Sequence, residues 1–555
     1  MKVAMRNYVC ILLLSAALFL LSVPASALCF SGDVELLSHD TLRTEGYLKG
    51  LDAYRAGDYK SAVGLWKEEA KRGNPLAQCN LGACYISGKG VGQNYNKAVS
   101  WFRKSAAQGN GVAQCNIGNC YHKGYGVEHD LNEAVKWYRL AAEQGNAVAL
   151  TNLGVCYKLG EGVKPDSLKA FDYLYRAAGT GYSVACNEVG DCFFFGYGVE
   201  EDVYEAFCWY KKAAVQGLDS AQYNLAMCYA YGDGTLQDDA NAFKWFEKAA
   251  LQGHVKAQYS LAGCYYNGTG VARDSVKAAK WYEKAAIKGH VNAQYVIAGC
   301  YYSGDGVKEN HETAVKWYRR AAKSGNADAM CQLAGCYYWG DGVSYDYEEA
   351  MELYMKAAEL GNAEAIYCLA EYCISGGEDE GVGFRTALAR YERAAELGFV
   401  PAYNKVGNFH YLGIVDSVDY KVAAKWYRRG ADAGDYEAQY NLAQCYYMGH
   451  GVKQDYKAAA GWCTKAAGQG DVNAQYLLGS MYYQGLGVQQ DYEKAVQWYE
   501  KAVKEEHPAA LYDLGVCYFY GNGVAKNRDK AIGLWRLSAE QGFGDATKAL
   551  RGLAR

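Results

Sequence analysis

Residues 254–289 read HVKAQYSLAGCYYNGTGVARDSVKAAKWYEKAAIKG, and this stretch decides the fold because the chain keeps repeating it. Taking His254 as position zero, equivalent segments start at Asn74, Asn110, Asn146, Tyr182, Leu218, His254, His290, Asn326, Asn362, Phe399, Asp435, Asp471 and His507. Every step is 36 residues except the 37 from Asn362 to Phe399. A fixed period of this length marks stacked supersecondary units. A single core would not accommodate 555 residues. Within the unit, Ala257, Leu261 and Cys264 are spaced by four and three, one apolar stripe of a helix. Glycine at position 14 of all thirteen repeats, Gly268 here, ends that helix by accepting positive φ. A second glycine at position 16 recurs in eleven repeats. Alanine at position 24, as in Ala98, Ala134, Ala278 and Ala531, is present in all thirteen once the insertion is allowed for. Its small side chain lets two helices approach closely. Tryptophan at position 27, as in Trp101, Trp137, Trp281 and Trp498, takes nine of the twelve tryptophans and is expected to plug the core between repeats.

One such helix pair cannot bury its apolar face alone, so stability must come from stacking, and the ends must differ. Residues 46–73 keep the helical pattern without the glycine turn and read as an N-terminal capping pair. Residues 74–542 carry the repeats, 543–555 a closing helix, and 28–45 an unrepeated leader. The segment Ser375-Gly376-Gly377-Glu378-Asp379-Glu380 departs from the pattern, and Ile414-Val415-Asp416 replaces a glycine turn. The irregular turn near 376–385 is expected to act as a hinge dividing the array near residue 380. Residues 1–27 read as an export signal: Lys2 and Arg6, an apolar run from Ile11 to Val23, then Ala25-Ser26-Ala27. Cleavage would start the mature chain at Leu28, in the periplasm or outside the cell. No later stretch approaches the ~20 apolar residues of a membrane span, so no membrane insertion is expected after cleavage.

The pattern A-x-x-x-L-[AG]-x-C-Y-x-x-G-x-G-V, then D-x-x-K-A-x-x-W-Y-x-K-A-A-x-x-G, resembles the Sel-one-like repeat, a relative of the tetratricopeptide repeat, over residues 46–542. The stretch GLDAYRAGDYKSAVGLW, residues 50–66, is similar to the start of exported bacterial members. The resemblance implies an all-α fold, a right-handed superhelical solenoid of about thirteen antiparallel helix pairs with capping helices. It also implies a scaffold or adaptor that binds one or more proteins or peptides. Two other readings stay open, a cell-wall glycan-binding envelope module and a β-lactamase-like hydrolase of the cysteine-rich repeat type.

With 57 Lys+Arg against 61 Asp+Glu there is no basic field, so nucleic acid is not an expected partner. Motifs such as Gly196-Tyr197-Gly198 follow helices rather than strands and recur with the period, so they are turns and no cofactor is expected. No G-x-S-x-G elbow, H-E-x-x-H pair or S-x-x-K nucleophile occurs, so no catalytic residue is assigned. His254, His290 and His507 share a loop position one or more repeats apart and cannot encircle one ion, so no metal site is assigned.

Of the 20 cysteines, ten sit at position 10: Cys84, Cys120, Cys156, Cys192, Cys228, Cys264, Cys300, Cys336, Cys445 and Cys517. Other repeats place Tyr372, Phe409 and Met481 there, a set of swaps that indicates apolar packing. Equivalent positions in stacked repeats lie roughly 9–10 Å apart, beyond the ~7 Å a disulfide tolerates. Buried, reduced thiols are expected. Tyrosine, at 52 residues, is the other outlier. Position 5 carries Tyr223, Tyr259, Tyr295, Tyr440, Tyr476 and Tyr512, and position 12 carries Tyr266, Tyr302, Tyr338, Tyr447 and Tyr483. Seven residues is nearly two turns, so both rows share one face, opposite the apolar stripe. By the tetratricopeptide resemblance these are concave, ligand-lining positions, and small residues between them (Gly263, Gly299, Gly335) keep the groove open. Tyrosine walls of this kind suit peptides and sugars.

Overall fold

A computed structural model describes residues 42–375 and 380–553. The export signal and the leader up to residue 41 lie outside them, as does part of the irregular turn, residues 376–379. Among the described residues the chain forms twenty-nine α-helices and no strand, and no helix is long and apolar enough to cross a membrane. In the repeat quoted above, the first helix is Val255–Asn267 and the second Ser275–Ile287. Local chemistry sets both ends. His254 accepts the Ala257 N–H and Asp274 the Lys277 N–H, each satisfying an orphan donor of the first turn. Gly268 closes the first helix at φ 75°.

The chain divides into two compact units, up to His290 and from Val291 on. In the first unit a helix pair, Glu45–Arg55 and Tyr59–Lys71, precedes six repeats. In the second, seven repeats end on a short helix, Gly544–Leu553. Within each unit every helix packs on the one before it and the one after it, an α-solenoid. Helix Glu380–Glu396 packs on Ala363–Ser375 and Val400–Leu412 as its counterparts do elsewhere, inside the second unit. Beyond the one-residue insertion, Ala387 and Tyr391 occupy the core register and are fully buried.

Alanine at position 24 does what its size predicts: Ala98, Ala134, Ala314 and Ala531 are wholly buried. The tryptophans do not. Trp281 and seven of its eight counterparts at position 27 are only half-buried, Trp317 being the buried one. Their outer faces carry cations: Lys284 Nζ sits 3.7 Å from the Trp281 ring centre and Lys501 Nζ 3.6 Å from that of Trp498. The core plug is position 28 instead, with Phe102, Tyr138, Tyr210, Tyr282, Tyr427 and Tyr499 all buried. The reason is rotational. Ala278, Ala279, Ala285 and Ala286 are the buried alanines of that second helix, and their faces centre on position 28. Position 27 lies about 100° away from it. The ten cysteines of position 10 are buried, free thiols, as their swaps with Phe and Met indicate.

Candidate partner-binding face

Each tyrosine of position 5 is half-buried, with ring neighbours already in place. Tyr223 lies between Phe246 of its own repeat and His254, Tyr259 between Tyr282 and His290, and Tyr476 between Tyr499 and His507, at centre distances of 4.5–6.0 Å. Tyr295 packs on Tyr318, Tyr512 on Trp535 and Phe543, and the Tyr440 hydroxyl accepts from Gln444. These rings join each second helix to the next repeat, so they form a floor. Position 12 is more open, with Tyr266 and Tyr302 38% and 39% exposed. Its rings lean on the start of the following helix: Tyr302 on His311, Tyr338 on Tyr347, Tyr447 on Tyr456 and Tyr483 on Tyr492. Their hydroxyls reach the turn of the next repeat, Tyr302 donating to Asp341 at 2.7 Å and Tyr483 accepting from Asn522 at 2.8 Å.

In the second and third repeats position 12 of this face is polar. Position 12 carries His122 and Lys158. Lys158 Nζ meets Glu188 Oε2 at 3.1 Å, and the Glu188 carboxylate holds the ammonium above its ordinary pKa. Asp191 accepts from the Tyr210 hydroxyl at 2.7 Å, while Asn224 bridges to Asn187 at 3.0 Å. Desolvation, then the Glu188 charge, pushes the Asp191 carboxyl up to about 7. Burial pushes the Cys156 thiol up to about 12.

Asp191 has a consequence for stability. Its folded pKa exceeds the unfolded one, so between about pH 4 and 7 the unfolded chain has lost a proton that the folded chain keeps. Stability therefore falls as pH rises through that window and levels off above it. The drop from this group is on the order of 2–4 kcal/mol. Urea unfolding at pH 5 and pH 8 checks this: Asp191→Asn should lose less stability over that interval than the parent chain, and an equal loss in both contradicts it.

The family model of the Sel1 repeat matches thirteen consecutive segments, from 75–110 and 111–146 through to 508–543. The chain belongs to the Sel1 repeat family. Among solved structures it is similar to a protective antigen present in uropathogenic Escherichia coli strains, which displays an SLR fold. The identity is 33%, covering 82% of this chain and 97% of that one, with a TM-score of 0.65. A Sel1 repeat protein from Oxalobacter formigenes is 34% identical over 44% of this chain and 97% of its own, with a TM-score of 0.41. No curated protein matches the chain. Sel1 repeats, like tetratricopeptide repeats, are typically protein-interaction scaffolds.

In this Sel1 repeat protein a further set of open rings sits at position 13, the last residue of each first helix. Phe195 and Tyr231 in the first unit are 42% and 55% exposed, and Trp339 and Tyr520 in the second 79% and 65%. Three of them abut a position-12 ring: Phe195 on Phe194, Trp339 on Tyr338 and Tyr520 on Phe519. A legible signal existed, since position 13 holds an aromatic in some repeats and Ser87, Lys123 or Asn267 in others. The polar nest was equally visible as His122 and Lys158 interrupting an aromatic row.

Proposed function

We propose that this chain is a non-catalytic, exported scaffold that holds partner proteins along the exposed ends of its first helices, with the position-12 and position-13 rings as anchors and the position-5 tyrosines as the floor beneath them. The observation that carries this reading is the set of large apolar side chains left open at position 13 in each unit, Phe195 and Tyr231 in the first and Trp339, Leu412, Met448 and Tyr520 in the second. Apolar side chains left in water at a fixed register invite a partner, because covering them releases the cost of hydrating them. The partner fitting such a row is an extended segment with apolar side chains.

A photo-crosslinking residue at position 231 or 339, introduced in the exporting cell, is expected to capture that partner, and one at Lys316, an exposed charged position of a second helix, is not. Cross-links from residue 316 alone would overturn the assignment of the face. With the partner in hand, Phe195→Ala together with Tyr231→Ala should weaken binding at least ~30-fold, since one aromatic anchor contributes ~2 kcal/mol or more. Export is tested separately. N-terminal sequencing of the mature protein should begin at Leu28, and Met1 retained on exported protein would refute cleavage.

A further inference from the structure

We propose that His122, Cys156 and Glu161 form a binding site for a single divalent transition-metal ion of the zinc type. His122 lies at the end of the first helix of the second repeat, Gly111–Lys123, and Cys156 in the last turn of the corresponding helix of the third, Ala147–Leu159. Glu161 follows Gly160, whose φ of 78° turns the chain so that the Glu161 N–H bonds back to the Cys156 carbonyl at 3.0 Å. That turn sets the carboxylate beside the thiol. An imidazole nitrogen, the sulfur and a carboxylate oxygen all lie within 4.8 Å of one another.

Two independent observations separate this cluster from ordinary packing. First, the same register elsewhere is closed by a direct hydrogen bond: Tyr302 to Asp341 at 2.7 Å, Asn522 to Tyr483 at 2.8 Å, and Tyr411 with His450 at 2.9 Å. His122 Nε2 and Glu161 Oε2 stand 3.7 Å apart, too far for one. Second, His122 Nδ1 and Glu161 Oε2 are buried with no hydrogen-bond partner, an arrangement that proteins rarely leave uncompensated. Position 10 is cysteine in ten repeats, so sulfur alone is unremarkable there; His122 is the one histidine at position 12.

The donors are one nitrogen, one sulfur and one oxygen, the set zinc takes. Zinc bonds of ~2.0–2.3 Å put tetrahedral ligand atoms roughly 3.3–3.8 Å apart, so side-chain rotations of about 1 Å close the site. On binding, the Cys156 S–H proton passes to solvent as the metal–sulfur bond forms. A dication, a thiolate and a carboxylate then sum to zero charge, which suits a half-buried place. Three protein ligands leave a fourth position for water or for a donor from elsewhere. This proposal is independent of the interaction reading.

The test uses the full mature chain, reduced and stripped with a chelator, then titrated with Zn2+ alone by calorimetry and with Co2+ by absorption. One equivalent is expected, with a thiolate-to-cobalt charge-transfer band that Cys156→Ala removes and Cys264→Ala, at the same position of another repeat, retains. His122→Ala and Glu161→Gln should each weaken Zn2+ binding at least ~10-fold. Glu161→Gln keeps the side chain's volume, and its melting temperature without metal reports folding directly. At a fixed Zn2+ concentration the melting temperature should rise more in the parent chain than in this folded variant. Absence of binding to the parent chain, or equal Zn2+ affinity in all the variants, overturns the site.

Discussion

Tyr138→Ala is expected to lower stability by about 3–5 kcal/mol, the cost of an emptied aromatic site, while Trp137→Ala beside it costs about half that or less. Tyr138 is 2% exposed, whereas Trp137 is half-buried. The Tyr138 ring lies flush on Gly118, where an added Cβ would come within 2.6 Å of the ring carbons. No larger residue at position 118 can accompany the tyrosine, and no smaller residue at 138 fills the space above the glycine. The hydroxyl donates to Asn119 Oδ1 at 2.8 Å, and the same oxygen accepts from Asn152 of the next repeat at 3.0 Å. Truncation thus removes a plug and one arm of a hydrogen-bond link between repeats. Tyr138→Phe separates the two effects and should cost about 1 kcal/mol. Denaturant midpoints of the three variants check the order. A larger loss in Trp137→Ala than in Tyr138→Ala would mean that the core lies at position 27 after all.

Gly126→Ala is expected to cost about 3 kcal/mol, and Gly145→Ala about 1. Both glycines have positive φ, 70° and 77°, so both substitutions incur the left-handed strain of ~1–2 kcal/mol. They differ in what surrounds them. A Cβ on Gly126 would lie 2.5 Å from the carbonyl carbon and oxygen of Tyr95, backbone of the preceding repeat, and nothing lies within 4 Å of one on Gly145. Relieving a backbone clash means moving one repeat off another, a displacement of the kind that costs a further ~1–3 kcal/mol. The second glycine of the turn is therefore a contact between repeats as well as a bend. Thermal melts of both variants decide it, since equal losses would leave only the strain.

Much of the fold was legible because its determinants are local. Asn and Asp cap the helices, glycine ends them, and Ala257 and Ala278 mark the close approach of two helices, all inside one 36-residue unit. The candidate face was legible only in part. Tyr259 and Tyr302 look alike in the sequence, yet Tyr259 is wedged between Tyr282 and His290 and Tyr302 keeps 39% of its surface open. They sit at positions 5 and 12 of the unit, which share one helix face, and the difference in burial lies in which neighbouring rings reach each of them.

The amino-acid sequence by itself determined the period of 36, the thirteen helix pairs and the glycine turns, since each follows from the conformational preferences of adjacent residues. Tertiary structure alone decided which of two neighbouring aromatics, Trp137 or Tyr138, enters the core, because the rotation of a helix about its axis is set by the surface it packs on. It alone also brought His122 to Glu161 and Lys158 to Glu188, pairs separated by 39 and 30 residues that only stacking one repeat on the next can join.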